Sequence, residues 1–194
     1  MRPAVLRTSG LATGLLAMAA LGTSFAAPMA KLLPEQSQIF FTSKQMGVPV
    51  EGSFSRFDAQ VAFDPRKPEG GTVALQIDTS SASLGVPMSD AELPRAPWFD
   101  AARFPRASFE ASGIRALGNG RFDVAGTLTI KGHAQPLTVP VSIAQSGDHS
   151  VATGGFVLQR LSFKVGDGEW TDTSVVANDV QVRFKLAFTG LGPL

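Results

Sequence analysis

Strict alternation of apolar and polar residues is the feature that most constrains the fold of this chain. In residues 180–188, Val180, Val182 and Phe184 alternate with polar or small residues. The same pattern recurs in three further segments, residues 72–77, 121–130 and 137–144. Successive side chains of a strand point to opposite faces, so each segment is predicted to be a strand with one apolar face. Because parallel strands buried on both faces have continuous apolar runs, the alternation favours antiparallel pairing.

Turn-forming residues separate the predicted strands. Gly118-Asn119-Gly120 predicts a tight hairpin, since asparagine and glycine adopt the positive φ that such turns require. Ten strand segments are predicted, of which some neighbours are expected to merge: residues 37–43, 49–56, 58–63, 72–78, 107–114, 121–130, 135–144, 151–158, 161–166 and 178–189. A meander of this kind predicts an all-β, closed antiparallel barrel, because closure removes exposed sheet edges. A two-sheet sandwich is the alternative, which periodicity alone does not exclude.

Residues 89–104 interrupt the strand pattern and predict one short helical excursion. Ser89 and Glu92 have the spacing of a capping box. Pro94 and Pro97 limit any helix here to short pieces. We expect this segment to lie over one end or one side of the sheet.

The first residues have the pattern of a cleaved secretory signal peptide, residues 1–26. Two arginines precede an apolar run at residues 11–21, and Ser24 and Ala26 occupy the small-residue positions of a cleavage site. The apolar run is shorter than the roughly 20 residues that span a bilayer. We therefore expect a periplasmic protein without stable membrane insertion.

The mature chain has the size of one domain, with an N-terminal extension at residues 27–36 and the barrel at residues 37–190. The absence of cysteine excludes disulfides and thiolate-bound metals. The 17 Lys and Arg residues nearly balance 16 Asp and Glu residues, so neither nucleic acid nor an anionic membrane surface is an expected partner. An outer-membrane barrel is disfavoured, because the chain has no Tyr and 2 Trp from which to build aromatic girdles.

The polar residues form no recognisable catalytic or metal-binding pattern. His133 and His149 are the only histidines and fall at predicted turns or strand ends, too few for a tetrahedral metal site. No nucleophile motif accompanies them. Asp167, Glu169 and Asp172 form an acidic cluster whose spacing does not match an EF-hand calcium loop. We therefore expect a protein that is not an enzyme, with no catalytic residue and no metal.

The inward face of the barrel is predicted to be strongly apolar, since the chain contains 14 Phe. Side chains alone fill some eight-stranded barrels, whereas others hold one small ligand, so a packed core and a cavity are both open. The candidates for lining a cavity are residues of the apolar phase: Phe41, Phe54, Val73, Leu75, Ile77, Phe109, Phe122, Val124, Leu128, Phe156, Val182, Phe184 and Leu186.

Four further residues are candidates for the rim or lid of such a cavity. Trp98, Phe99 and Trp170 fall outside the predicted strands. Aromatic side chains are well suited to the boundary between an apolar interior and water. A structural plug is the alternative role for these three. Arg160 is predicted to anchor a loop through a salt bridge, with pairing to a ligand headgroup as the alternative.

Several motifs follow one another in a specific order. They are SQIFF at residues 37–41, MGVPVEGSF at 46–54, WFDAARFPRASF at 98–109, GTLTIKG at 126–132, RLSF at 160–163, GDGEW at 166–170 and VQVRFKL at 180–186. Over residues 33–189 the chain resembles the YceI-like, lipid- or polyisoprenoid-binding family. Many members have a histidine in the first strand–loop region, where this chain has Lys44 and Gln45, so a ligand role of that histidine does not carry over.

The resemblance implies a lipocalin-like, closed eight-stranded antiparallel barrel in the periplasm. It also implies a long isoprenoid or isoprenoid-quinone ligand inside the barrel, in a protein that needs no other cofactor. The implied function is a carrier that sequesters this apolar lipid. The alternative is a structural or partner-binding barrel with a filled core and no ligand. A homodimer and a membrane redox protein are further partners that the sequence leaves open.

Overall fold

The computed structural model describes residues 29–194, so the predicted signal peptide at residues 1–26 lies outside the described residues. The strands are β1 (Met29–Leu32), β2 (Gln38–Gln45), β3 (Val48–Phe54), β4 (Phe57–Ala62), β5 (Thr72–Asp78), β6 (Ala82–Ser83), β7 (Arg106–Gly118), β8 (Arg121–Ile130), β9 (His133–Ser146), β10 (His149–Gln159) and β11 (Asp179–Thr189). The helical elements are α1 (Pro87–Glu92) and 3-10 turns at Pro34–Gln36, Pro68–Gly70, Thr79–Ser81, Arg160–Phe163 and Gly168–Trp170.

The strands pair antiparallel throughout and close into a ring. Hydrogen-bonded neighbours follow the order β1-β4-β5-β7-β8-β9-β10-β11, and β11 pairs again with β1. Strand β2 also pairs with β11, β3 with β2, and β6 with β3. The pairs β1/β2, β3/β4 and β5/β6 therefore act as three bent strands of one eight-stranded barrel. The predicted closed barrel is confirmed, and the sandwich is excluded because the ring has no open edge between β1 and β11.

The break between β1 and β2 is bridged by a side chain. Ser37 Oγ accepts a hydrogen bond from the N–H of Ala187 in β11 at 2.9 Å. The same hydroxyl donates to the carbonyl oxygen of Leu33 at 2.8 Å. A hydroxyl can both donate and accept. The Ser37 hydroxyl therefore satisfies the N–H of Ala187, which has no strand backbone opposite it at this break.

Two predictions differ from the structure: where the barrel begins, and the strand at residues 161–166. Residues 29–32, placed by the sequence in an N-terminal extension, form β1, which pairs with both β4 and β11 and so closes the ring. Residues 161–166, predicted as a strand, instead begin within the 3-10 turn Arg160–Phe163, and the chain reverses at Lys164, where φ is +57°. Both differences come from long-range contacts that local alternation does not encode.

The predicted helical excursion is present, but its cap is different. Helix α1 begins at Pro87, and Val86 precedes it without a side-chain cap, so the predicted capping box is wrong. The carboxylate of Asp90 instead accepts from Leu84 N–H at 2.6 Å and from the Ser83 hydroxyl at 2.7 Å. These bonds hold α1 against the end of β6.

Tight hairpins join the longest strands. Asn119 and Gly120, with φ of 53° and 69°, link β7 to β8 as predicted. Lys131 and Gly132, with φ of 50° and 75°, link β8 to β9 in the same way. Positive φ at both central residues matches the twist of the flanking strands, which explains the use of asparagine and glycine here.

The two ends of the barrel are closed differently. At one end, Phe63 and Leu191 are buried, and the ring of Phe63 meets that of Phe122 edge-on at 5.2 Å. At the other end lie two segments that we call the cap loops, residues 84–105 and 160–178. The strands between these ends place alternate side chains inside, where they surround the site described next.

Candidate ligand-binding site

The interior of the barrel is hollow. It contains an inner chamber of about 150 Å³ and an outer chamber of about 370 Å³. Five residues line both chambers, which are therefore adjoining parts of one elongated space: Ile39, Ile77, Leu128, Phe156 and Val182. The outer volume falls within the roughly 300–1,000 Å³ of small-molecule sites.

The walls of the inner chamber are apolar. Among the described residues, Ser108 is the single polar member of its lining. Phe63 and Leu191 bound it at the closed end of the barrel. Because Ser108 presents no polar surface to the inner chamber, a ligand finds no hydrogen-bonding partner there, and an apolar group suits it best.

The thirteen lining candidates named from the sequence all lie on these walls. Seven line the inner chamber alone: Val73, Leu75, Phe109, Phe122, Val124, Phe184 and Leu186. Phe41 and Phe54 line the outer chamber alone, and Ile77, Leu128, Phe156 and Val182 line both. Their position follows from strand phase, while their contact with a ligand stays a prediction.

Some inward-facing side chains of the barrel keep accessible surface. Phe156, Val182 and Phe184 point inward but are only half-buried. Phe122, in the closed end, is 4% exposed. A side chain packed on every side loses its accessible surface, so the surface that Phe156, Val182 and Phe184 keep adjoins the empty space.

The outer chamber reaches the surface between the β2–β3 hairpin and the cap loops. Met46, in the hairpin, is 78% exposed, and Val175, in the second cap loop, is 40% exposed, yet both line the chamber. The backbone N–H of Met46 donates to the carbonyl oxygen of Val175 at 2.8 Å. Glu92 of α1 lies on the same wall. These residues define the mouth of the site.

Aromatic residues predicted as rim or lid lie in the outer chamber wall. Trp98 and Trp170, one from each cap loop, have ring centroids 5.4 Å apart. The ring of Phe99 meets that of Phe54 edge-on at 5.7 Å, and Phe54 in turn contacts Phe41 at 5.3 Å. The aromatic side chains thus connect the first cap loop to both the second cap loop and the barrel wall. Their role as a lid stays a prediction.

Arg160 is buried, 2% exposed, and lies in the wall of the outer chamber. Its guanidinium donates to five backbone carbonyl oxygens, those of Ala177 (3.0 Å), Val165 (3.0 Å), Gly166 (2.6 Å), Trp170 (2.7 Å) and Val176 (2.7 Å). Burial lowers the pKa of this guanidinium. The predicted salt bridge is wrong, because carbonyl oxygens take all the donors that a carboxylate would have used.

Lys131 attaches the cap loops to the β8–β9 hairpin. Its side chain is 8% exposed, and its ammonium group donates to the carbonyl oxygen of Lys164 at 2.7 Å. It also reaches the carbonyl oxygen of Pro97 at 3.4 Å and the carboxylate of Asp167 at 3.3 Å. One cation therefore contacts both cap loops, which explains how long irregular segments hold a fixed position over the chamber.

Ser43 is a site residue that the sequence analysis missed. Its hydroxyl oxygen is buried and, within the described part of the chain, has no hydrogen-bond partner. Ser43 and Gln45 both line the outer chamber, in the same phase of β2 as Ile39 and Phe41. The sequence does contain a signal for them, because both are polar residues in the apolar phase of their strand.

The other polar candidates lie apart from the chambers. His133 and His149 are exposed at the starts of β9 and β10. Asp172 binds the hydroxyl and N–H of Ser174, which lowers the pKa of its carboxyl. Within residues 29–194, no three His, Asp or Glu side chains gather as metal ligands would. The helices of the same part of the chain are too short or too polar to cross a membrane.

The fold and the site define a class, the closed eight-stranded antiparallel β-barrels with a hollow, apolar interior. Within this class the chain belongs to the family described as the YceI-like domain, whose model matches residues 31–188. The resemblance stated from the sequence motifs is thereby confirmed.

Solved structures and curated proteins are similar to the chain. The crystal structure of BcnA from Burkholderia cenocepacia is 43% identical, with a TM-score of 0.78 over 81% of this chain and 99% of that one. A polyisoprenoid binding domain from Saccharophagus degradans has a TM-score of 0.67 over 86% of this chain and 99% of that chain. At 16% identity, this likeness concerns the fold alone. A UPF0312 protein from Azotobacter vinelandii is 29% identical over 96 residues, so the match spans about half the length of this curated relative.

Proposed function

We propose that this protein is a periplasmic carrier that sequesters an isoprenoid-type lipid in its barrel. The observation that carries the proposal is the hollow, apolar interior of two adjoining chambers. A filled barrel, expected for a purely structural or partner-binding protein, would leave no such space. Export rests on the signal-peptide pattern of residues 1–26, and binding rather than catalysis rests on the apolar walls.

The size of the chambers suits a short isoprenoid chain. An apolar cavity of about 150 Å³ accommodates one benzene molecule, a volume close to that of one five-carbon isoprene unit. The inner chamber has this volume, and the outer chamber is about two and a half times larger. The interior therefore holds about three isoprene units without rearrangement, and a longer chain would extend through the mouth.

The energetics favour non-covalent capture. Burying one isoprene unit contributes about 3–4 kcal/mol, at about 0.8 kcal/mol for each carbon group. Three units then contribute about 10 kcal/mol before the cost of association, itself about 4–15 kcal/mol. Affinity thus depends on filling both chambers. The name of the Saccharophagus degradans domain, a polyisoprenoid binding domain, points to the same ligand class.

The proposal is tested by extracting lipid from protein purified out of the periplasm of its native host, followed by mass spectrometry. We expect one or a few isoprenoid lipids at near-stoichiometric amounts. The variant Ala152→Phe puts one ring into the inner chamber, because Ala152 lines that chamber. Ala144→Phe is the matched control, since Ala144 is exposed on the neighbouring strand.

Two outcomes separate the alternatives. Ala152→Phe should carry less lipid, or shorter chains, whereas Ala144→Phe should match the wild type. A wild-type protein that yields no isoprenoid lipid, and binds none of an added series from geraniol to geranylgeraniol, would overturn the proposal. A stoichiometric protein partner recovered in its place would support the partner-binding alternative.

A further inference from the structure

An orphaned hydroxyl lies in the wall of the outer chamber. Ser43 Oγ is buried, and no hydrogen-bonding partner is within reach in the described part of the chain. Buried polar atoms are nearly always hydrogen-bonded, because an unmade bond costs the desolvation of the group. Ser43 lines the outer chamber, and because no partner holds its hydroxyl, rotation about the Cα–Cβ bond can turn Oγ toward a ligand there.

The inward face of β2 changes from apolar to polar toward the mouth. Ile39 lies where the two chambers meet, and Phe41, Ser43 and Gln45 follow along the outer chamber. At about 3.3 Å per residue, Ser43 lies about 13 Å outward of Ile39. A ligand with one apolar and one polar end would therefore place its tail in the inner chamber and its polar head beside Ser43.

The charges around the outer chamber bear on the kind of head that fits. Arg160 is a cation on this wall, but carbonyl oxygens already take its donors, so it has none for a ligand. The carboxylate of Glu92 lies on the same wall, paired with Arg95 at 2.8 Å. A phosphate head would gain no bond to Arg160, and the Glu92 carboxylate already takes the Arg95 guanidinium, whereas an uncharged oxygen needs no counter-charge.

We infer that the outer chamber recognises an uncharged, oxygen-bearing head, such as an alcohol, ester or quinone carbonyl, through a hydrogen bond donated by Ser43 Oγ. Gln45, two residues further along the same face, is the second polar contact within reach of the head. The inference rests on the proposed function, since it assigns the head and the orientation of the isoprenoid proposed above.

The test compares three probes that share a fifteen-carbon tail: farnesol, the hydrocarbon farnesene and farnesyl diphosphate. Binding is measured from the fluorescence of Trp98 and Trp170, both of which line the outer chamber. The variants are Ser43→Ala, which removes the hydroxyl, and Ser43→Thr, which keeps it. Thr42→Val is the matched control, because Thr42 lies on the opposite face of β2 and outside both chamber walls.

We expect the wild type to bind farnesol about tenfold more tightly than farnesene, and more tightly than farnesyl diphosphate. Ser43→Ala should weaken farnesol binding about 3- to 10-fold and leave farnesene unchanged or tighter. Ser43→Thr and Thr42→Val should keep the wild-type preference. Equal binding of farnesol and farnesene, tighter binding of the diphosphate, or an unchanged preference in Ser43→Ala would overturn the inference and leave the carrier function standing. Failure of every probe to bind would overturn both.

Discussion

The indole rings of Trp98 and Trp170 lie 5.4 Å apart, with their planes inclined by 44°. Trp98 belongs to the first cap loop and Trp170 to the second, so this contact joins the two loops beside the outer chamber. Aromatic pairs contribute about 0.5–1.5 kcal/mol beyond the area that they bury. Such a contact can open and reform while the hydrogen-bonded barrel stays folded, which suits the entry of a ligand.

Removing one ring of this pair should speed ligand release. In Trp170→Ala we expect bound farnesol to dissociate about 2- to 10-fold faster, because one of the contacts that join the two cap loops is lost. Stopped-flow dilution monitored by Trp98 fluorescence measures this rate. Trp170→Phe, which keeps an aromatic ring, should stay closer to the wild type. Equal release rates in all three proteins would contradict a lid role for Trp170.

Arg160 should be the most sensitive arginine for stability. Arg160→Met leaves buried carbonyl oxygens of the second cap loop without donors, so we expect a loss of about 3–5 kcal/mol in the free energy of unfolding. Urea unfolding followed by tryptophan fluorescence measures it. The control is Arg115→Met, since Arg115 is 74% exposed and pairs with Asp123 on the surface, where an ion pair is worth less than about 1 kcal/mol. Similar losses in the two variants would show that the hydrogen bonds from Arg160 to the carbonyl oxygens contribute little to stability.

Two glycines of the β7–β8 hairpin offer a matched comparison. Both have positive φ, 80° at Gly118 and 69° at Gly120. A side chain at Gly118 would meet open space, whereas one at Gly120 would lie 2.5 Å from the carbonyl oxygen of Ile143. We expect Gly118→Ala to cost about 1 kcal/mol from backbone strain and Gly120→Ala about 2–4 kcal/mol. Thermal unfolding of both variants checks the order, and equal costs would contradict it.

Asp78 should make stability depend on acid pH. Hydrogen bonds from the Arg56 guanidinium, at 2.8 Å, and from Ser80 lower the pKa of this carboxyl in the folded protein. A lowered folded pKa stabilises the fold above the unfolded value of about 3.9, and this contribution disappears as pH falls through the folded pKa. The pair is exposed, so we expect less than about 1 kcal/mol.

The variant Asp78→Asn isolates this charge, because asparagine can still accept the bond from Ser80 N–H that begins the turn at Thr79–Ser81. The wild type should be the more stable protein at pH 7 and at pH 5, and the difference should shrink as the pH falls below about 4. Urea midpoints across this range measure the effect. A difference that persists unchanged at the lowest pH would rule out the charge as its cause.

Much of the fold was predictable because strand phase is a local property. The alternation of Val182 and Phe184 with Arg183 placed the first two inside and the third outside, whatever the partner strands. The Asn119-Gly120 hairpin was predictable for the same reason, since a two-residue turn depends on its own backbone preferences. Strand β1 was not, because a four-residue strand is too short for its pattern to differ from a loop.

The sequence by itself determined which side chains face inward, the meander of antiparallel strands and the family. Only the tertiary structure decided whether the interior is hollow, because the volume left inside depends on how all the strands close and how far each ring reaches across. It also decided that Arg160 binds carbonyl oxygens rather than a carboxylate, and that Ser43 Oγ is left without a partner. Both depend on groups distant in the chain, whose meeting no local pattern encodes.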